Sequence, residues 1–204
     1  MESDLILIGK EDALVVVDMQ NDFLRPDGAL YVSGLDGEPT PKELLDNVSA
    51  LIRLQFGFLI VTADEHPFNQ HVEYAIFGKH CVKGSLGSGI CEELLPALKE
   101  HQPDYFITKG ENPDIVAYSV ATSSKFNELI GMLRKKGIKR IFVCGLAYTH
   151  CVGESAIAFA SQGFQTYVVH NATRSVAPPY GDPQRMGQKL DLYNVAQIET
   201  FDIA

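Results

Sequence analysis

Short apolar runs alternate with amphipathic segments along almost the whole chain, and this alternation limits the fold more than any other feature. The six strand candidates are rich in Val, Ile, Leu and Phe and lie near residues 13–17, 58–63, 104–108, 139–144, 165–169 and 195–200. The helical patterns lie near residues 41–55, 90–99, 123–136, 151–162 and 183–190. Strands that alternate with helices predict an α/β fold, a parallel sheet covered by helices on both faces.

The segment near 123–136 illustrates how these helices are expected to begin and end. Thr122 or Ser123 is the predicted N-cap. Its apolar positions recur at helical spacing, and Gly137 follows where a left-handed residue would end the helix. We find no repeat and no linker, so residues 1–204 are expected to form a single domain. Two long irregular segments, 26–39 and 67–89, are expected to wall a functional crevice.

Charge and composition exclude several classes of protein. The net charge of −9 argues against nucleic acid as a main partner, because phosphate binding needs clustered Lys and Arg. No apolar run reaches the roughly 18 residues that span a bilayer, and the acidic start does not resemble a signal peptide. We therefore expect a cytoplasmic protein that does not interact with membranes. Its four cysteines are too few for a disulfide framework and are expected to be free thiols.

Residues able to do chemistry follow four of the strand candidates. Asp18 follows the first strand, Asp64 and His66 the second, Lys109 the third, and Cys151 the fourth after a short loop. The carboxyl ends of neighbouring parallel strands open onto one crevice, so these residues are expected to meet there.

The thiol, the acid and the cation each have two interpretations. Cys151, before a helix, could be an activated nucleophile, because the helix N-terminus favours the thiolate, or a buried structural cysteine. Asp18 could take the thiol proton or cap a turn. Lys109 could stabilise charge on both anions and on a substrate oxygen, or be an ordinary solvated lysine. We predict the catalytic role for all three, because they are expected to converge.

The carboxylate and imidazoles after the second strand suggest a metal site. In an extended segment Asp64 and His66 point the same way, so both can reach one ion, and His71 and His80 follow in the loop. One carboxylate with two imidazoles describes a catalytic site for zinc or a similar divalent ion. Asp64 as a turn cap with surface histidines is the alternative.

Five segments in chain order resemble the nicotinamidase/pyrazinamidase branch of the isochorismatase-like cysteine hydrolases. These segments are VDMQNDF at 17–23, DEHP at 64–67, HCVKGSLG at 80–87, Lys109-Gly110 with Tyr118-Ser119, and GLAYTHCV at 145–152.

The resemblance implies a three-layer α/β/α fold with a mostly parallel six-stranded sheet. It also implies a metal-dependent nicotinamidase that hydrolyses nicotinamide to nicotinate and ammonia, a pyridine carboxamide as substrate, a role in NAD salvage, and a homo-oligomer. The implied ion is zinc, with iron or manganese as alternatives. The implied residues are the triad Asp18, Lys109 and Cys151; the ligands Asp64, His66 and His80; the oxyanion-hole N–H groups of Ala147 and Cys151 with a cis peptide after Leu146; and the aromatic walls Phe23, Phe77 and Tyr118.

Some positions depart from the family pattern. Tyr148-Thr149 replaces the usual Thr-Asp, and residues 113–116 replace a more polar stretch. Two alternatives therefore stay open: a related hydrolase of another small amide or carbamoyl substrate, or a non-catalytic metal-binding member of the fold. Whether His71 joins the metal ligands is also open.

Overall fold

The computed structural model describes residues 5–204 and contains one six-stranded sheet. Its strands lie in the order β3-β2-β1-β4-β5-β6, and every neighbouring pair is parallel. The strands are β1 (Asp12–Val17), β2 (Phe58–Asp64), β3 (Tyr105–Lys109), β4 (Arg140–Leu146), β5 (Gln165–Arg174) and β6 (Ala196–Ile198). The predicted six-stranded parallel sheet is therefore confirmed.

Helices cover both faces of the sheet, so the predicted three-layer architecture is also confirmed. The α-helices are α1 (Asn21–Leu24), α2 (Pro41–Arg53), α3 (Tyr74–Phe77), α4 (Leu95–Glu100), α5 (Phe126–Lys136), α6 (Gly153–Ser161) and α7 (Pro183–Leu192). In the described part of the chain, no helix is long and apolar enough to cross a membrane.

The alternation of side chains along β1 divides the core into two halves. Ala13, Val15 and Val17 face one half, where the buried apolar residues of α5, α6 and α7 pack. Leu14 and Val16 face the other half, where α2 and α4 pack. Both halves are fully apolar along β1, which explains why the strand reads as a continuous apolar run.

The start of α5 differs from the prediction. Neither Thr122 nor Ser123 caps this helix, which begins at Phe126 after Lys125 without a side-chain cap. Residues 120–122 instead form a separate 3₁₀ turn, whose first residue, Val120, donates its N–H to the Ser155 hydroxyl of α6. This contact with α6 separates the turn from the helix. The predicted end is correct, because Gly137 adopts a φ of 76° and closes α5.

We predict that the aromatic stack on β4 is a main source of stability. Phe142 is fully buried, with its ring 4.7 Å from that of Tyr167 and 5.5 Å from that of Phe56. Phe142→Ala should lower the free energy of unfolding by about 3–5 kcal/mol, because it leaves a cavity that the sheet cannot close. Equilibrium urea unfolding measures the change. Phe201→Ala, which removes a ring that is 72% exposed, is the control and should stay within about 0.5 kcal/mol of the parent. Equal losses in both variants would contradict the prediction.

Candidate active site

The chain leaves the sheet at Asp18, directly after β1. Asp18 has a φ of 48°, a left-handed conformation that non-glycine residues rarely adopt and that is common at functional sites. Its side chain is fully buried. The Thr62 hydroxyl on β2 donates to Asp18 Oδ1 at 2.6 Å and accepts the Asp18 N–H at 3.2 Å. The carboxylate is thereby held in one orientation at the carboxyl end of the sheet.

Lys109, the last residue of β3, extends its ammonium group to three partners. Its Nζ lies 2.8 Å from Asp18 Oδ2 and 2.8 Å from Asp64 Oδ1. It also donates to Cys151 Sγ at 3.4 Å. The side chain is only 1% exposed, so Lys109 is not a solvated surface lysine. One buried cation thus links two carboxylates and a thiol from three other parts of the chain.

Cys151 lies in the turn that joins β4 to α6. Residues Tyr148–Val152 form one π-helical turn that runs directly into α6. Cys151 is 8% exposed as a residue and lines the same cavity as Asp64. The ligand atoms of Asp18, Asp64 and Cys151 all lie within 4.8 Å of one another. The structure therefore brings Asp18, Lys109 and Cys151 into contact range.

Burial and charge set the protonation of these groups. Burial raises the pKa of Asp18, although the Lys109 charge opposes this. Burial opposes ionisation of Asp64 too, but Lys109 and His66 outweigh it and lower the pKa of Asp64. Burial alone would lower the pKa of Lys109. The negative charges of Asp18 and Asp64 outweigh burial, so the net pKa lies well above its usual value.

The thiolate expected from the helix N-terminus is not what the structure supports. Burial raises the pKa of Cys151 well above its usual value, and the nearby Lys109 charge only partly offsets this. The resting thiol is therefore neutral and needs a base to remove its proton.

Four buried side chains beside Lys109 form a group that fits a metal ion. Ligand atoms of Asp64, His66, Glu73 and His80 all lie within 4.8 Å of one another. The two histidines meet because residues 66 and 82 pair as a parallel bridge, in which the His66 N–H donates to the Cys81 carbonyl at 2.9 Å. This bridge closes the loop between them and brings His80 next to His66.

Backbone contacts orient both imidazoles toward the group. His66 Nδ1 lies 3.1 Å from the Gly110 carbonyl, and His80 Nδ1 lies 2.9 Å from the Gly78 carbonyl. If each Nδ1 carries the proton, each Nε2 has a free lone pair, as in metal-ligating histidines. His66 Nε2 is buried and has no hydrogen-bond partner. Two free imidazole nitrogens beside two carboxylates suit a divalent ion such as zinc.

Glu73 is a member of this group that the sequence patterns did not reveal. Its Oε2 lies 3.9 Å from Nε2 of both His66 and His80, and its Oε1 accepts the Ala117 N–H at 2.6 Å. His71, whose role the sequence left open, lies outside the group. Its ring centre is 4.0 Å from that of His66, with the two rings tilted by 37°, and its Nδ1 accepts the Glu73 N–H. The only signal for Glu73 in the sequence is its position, a carboxylate two residues after His71.

A small apolar cavity adjoins Cys151 and His80. The three predicted aromatic residues Phe23, Phe77 and Tyr118 all line it. His150, which the sequence reasoning did not single out, also lines it, with its ring 4.8 Å from that of Tyr118. Burial raises the pKa of Tyr118 to about 12, so its hydroxyl stays neutral. Flat, largely apolar walls suit an aromatic ring.

The predicted oxyanion-hole segment borders the same cavity. The peptide between Leu146 and Ala147 is cis, as the resemblance implied, and Ala147 lines the cavity beside Cys151. The roles of the Ala147 and Cys151 N–H groups, like those of the other site residues, stay predictions.

Several known proteins are similar to this chain over most of its length. The chain is 29% identical to a nicotinamidase of Acinetobacter baylyi, over 94% of each chain. The crystal structure of PnC1 from L. infantum in complex with nicotinate has a TM-score of 0.84 and 28% identity, covering 98% of each chain. The pyrazinamidase of Pyrococcus horikoshii in complex with zinc has a TM-score of 0.75 and 28% identity, covering 93% of this chain and 99% of that one. A family model described as the isochorismatase domain matches residues 12–186, and the chain belongs to that family.

Proposed function

We propose that this protein is a metal-dependent cysteine amidohydrolase that converts nicotinamide and water to nicotinate and ammonia. One observation carries the proposal: Lys109 Nζ contacts Asp18 and donates to Cys151 Sγ within a site that also holds four buried metal-ligand candidates. A non-catalytic binding protein would have no need for a thiol within reach of a buried acid and a buried cation. The similarity to nicotinamidases supports the choice of substrate.

The reaction proceeds by acyl transfer in two stages. Asp18 takes the proton of Cys151 as the sulfur attacks the amide carbonyl. The backbone N–H groups of Ala147 and Cys151 hold the oxyanion, and Lys109 supports it. Asp18 then returns the proton to the departing ammonia, which leaves a thioester. In the second stage Asp18 removes a proton from water as the water oxygen attacks the thioester, and it passes that proton to the departing sulfur. This restores the free thiol and releases nicotinic acid, which ionises to nicotinate.

The residues that would hold the metal are Asp64, His66 and His80, with Glu73 close enough to join them. When bound, a divalent ion such as zinc supplies a Lewis acid that can bind the ring nitrogen or acidify a water molecule. Phe23, Phe77 and Tyr118 hold the ring in place. Because the pyridine nitrogen distinguishes nicotinamide from benzamide, we propose pyridine carboxamides as the substrate class.

Three further parts of the proposal concern the protein's setting. Formation of nicotinate would give the reaction a role in NAD salvage, in the cytoplasm. Self-association into a homo-oligomer stays a prediction.

The test of the function itself is ammonia release by the purified protein from nicotinamide, pyrazinamide, benzamide and a carbamoyl amine. Turnover of the two heteroaromatic amides is expected; turnover of the carbamoyl amine alone would favour the alternative hydrolase.

Cys151→Ala should lower kcat for nicotinamide by at least about a thousandfold, because Cys151 is the one thiol among residues 5–204 that accepts a hydrogen bond from Lys109. Ammonia release measures the loss, and a folded variant should retain the parent's unfolding midpoint. Cys144→Ala, which changes a buried thiol on β4 in the core, is the matched control and should keep activity. Appreciable turnover by Cys151→Ala would contradict the nucleophile assignment.

Removal of the metal should abolish turnover and lower the unfolding midpoint. A ligand present at a thousand times its dissociation constant stabilises the folded state by about 4 kcal/mol, so chelation should shift the thermal unfolding curve. Zinc, manganese or iron added back to the chelated protein identifies the ion that restores both properties. A chelated, metal-free preparation with full activity would remove the ion from the scheme.

Thr62→Val should move the acid limb of the kcat/KM profile to higher pH. The Thr62 hydroxyl lowers the pKa of Asp18 by donating to its carboxylate, so its loss favours the protonated acid, which cannot act as a base. A hydrogen bond to a charged group contributes about 1.5–3 kcal/mol, so the rate on the acid limb should fall at least about tenfold and recover at high pH.

A matched control separates this effect from a general loss of packing. Thr166, a buried threonine on β5, donates its hydroxyl to the Phe164 carbonyl and does not contact the site residues. Thr166→Val should leave the acid limb where it is in the parent. If the acid limb of the kcat/KM profile lies at the same pH in Thr62→Val as in the parent, Asp18 is not the base.

A further inference from the structure

The strand that carries Asp64 loses one of its neighbours just before it reaches the site. β1 pairs with β2 as far as Val16 and Val61, and the last contact between them is the bond from the Asp18 N–H to the Thr62 carbonyl at 3.3 Å. Beyond this point the chain turns out of the sheet at Asp18. Asp64 therefore keeps a strand neighbour only on the β3 side, where its register partner is Lys109.

The side chain of Gln20 occupies the position that the departed strand leaves. Its Nε2 donates to the Asp64 carbonyl at 2.7 Å, and its Oε1 accepts the Asp64 N–H at 2.7 Å. A side-chain amide thus pairs with both backbone groups of one residue, as a neighbouring strand would. Gln20 is fully buried, and its remaining donor reaches the Ser88 carbonyl at 2.8 Å. Without it, two backbone groups of Asp64 would be buried without a partner on that side.

The position of Asp64 matters because its carboxylate contacts both halves of the site. Oδ1 accepts from Lys109 Nζ at 2.8 Å, and Oδ2 lies 3.4 Å from His66 Nε2. A shift of the Asp64 backbone would move a proposed metal ligand and the partner of the buried lysine together. Partners that orient a ligand in this way contribute strongly to metal affinity.

We propose that Gln20 is a positioning residue: its amide replaces the missing strand and fixes Asp64 where it can bind the ion and contact Lys109. The metal part of this inference rests on the proposed function, whereas the fixing of the Asp64 backbone does not. Gln20 does not line the cavity, and its amide bonds only to backbone groups of Asp64 and Ser88, so it acts on the site through Asp64.

Two replacements of neighbouring amides separate this role from simple anchoring of a loop. Gln20→Met keeps the length of the side chain and removes all three hydrogen bonds. Asn21→Leu is the matched control, because Asn21 is also buried and its Nδ2 donates to the Leu86 carbonyl of the same loop at 2.8 Å. Should Gln20→Met fail to fold, Gln20→Glu serves instead, since it keeps an acceptor for the Asp64 N–H and loses the donor to its carbonyl.

Two measurements on the full chain test the inference without reference to turnover. The first is hydrogen exchange of the Asp64 amide in chelated protein, which should be at least about tenfold faster in Gln20→Met than in Asn21→Leu. In Gln20→Glu this amide should keep its protection. The second is zinc affinity by titration of the chelated protein, which should fall about 10- to 100-fold in Gln20→Met and Gln20→Glu. Asn21→Leu should stay within about twofold of the parent.

The outcomes are distinct. Equal Asp64 exchange and equal zinc affinity in Gln20→Met and Asn21→Leu would overturn the inference, since Gln20 would then only anchor the loop. Failure of the parent protein to bind zinc would contradict the metal part of the proposed function, and Asp64 exchange would still decide whether Gln20 fixes this residue. Lower zinc affinity in both Gln20 variants, with faster Asp64 exchange in Gln20→Met and parental values of both in Asn21→Leu, supports the inference.

Discussion

The site depends on the contacts that the buried ammonium group of Lys109 makes with the carboxylates of Asp18 and Asp64. An unpaired buried charge costs several kcal/mol, so each of these three groups is tolerable only because the others are present. The environment also separates the two acids, because the pKa of Asp18 is raised while that of Asp64 is lowered. Pairs of acids whose pKa values are pushed apart usually divide acid–base chemistry from charge stabilisation. Asp18 is therefore suited to exchange protons, and Asp64 to remain an anion that binds cations.

The order of strands in the sheet explains why these residues meet. The spatial order β3-β2-β1-β4 is also the order of the residues that follow or end those strands: Lys109, Asp64, Asp18 and, after a short turn, Cys151. Adjacent strands lie only about 4.8 Å apart, so four side chains from one end of four neighbours fall within reach of one another. The turn at β1, which has β2 on one side and β4 on the other, opens the crevice between them.

The residues at strand ends were predictable from the sequence, whereas those held by loop contacts were not. Asp18, Asp64 and Lys109 directly follow or end apolar runs, and parallel topology alone brings them together. Glu73 and Gln20 depend instead on side-chain to backbone bonds formed only once the loops have closed, and no periodic pattern records these. The protonation of Cys151 was also beyond the sequence, because burial depends on the complete fold and here raises the pKa of the thiol more than the Lys109 charge lowers it.

The departures from the family pattern around Cys151 point away from the cavity. Tyr148 is buried on the α7 side, where its hydroxyl donates to Gln197. Thr149 accepts the Val176 N–H at 3.1 Å and so attaches the loop after β5 to the turn that carries Cys151. Neither residue lines the cavity, whereas His150 does. Tyr148 and Thr149 therefore change how the turn is held in place, and they do not change the cavity walls, which include Phe23, Phe77 and Tyr118. The contacts that hold this turn can thus vary without a change in the residues that line the cavity.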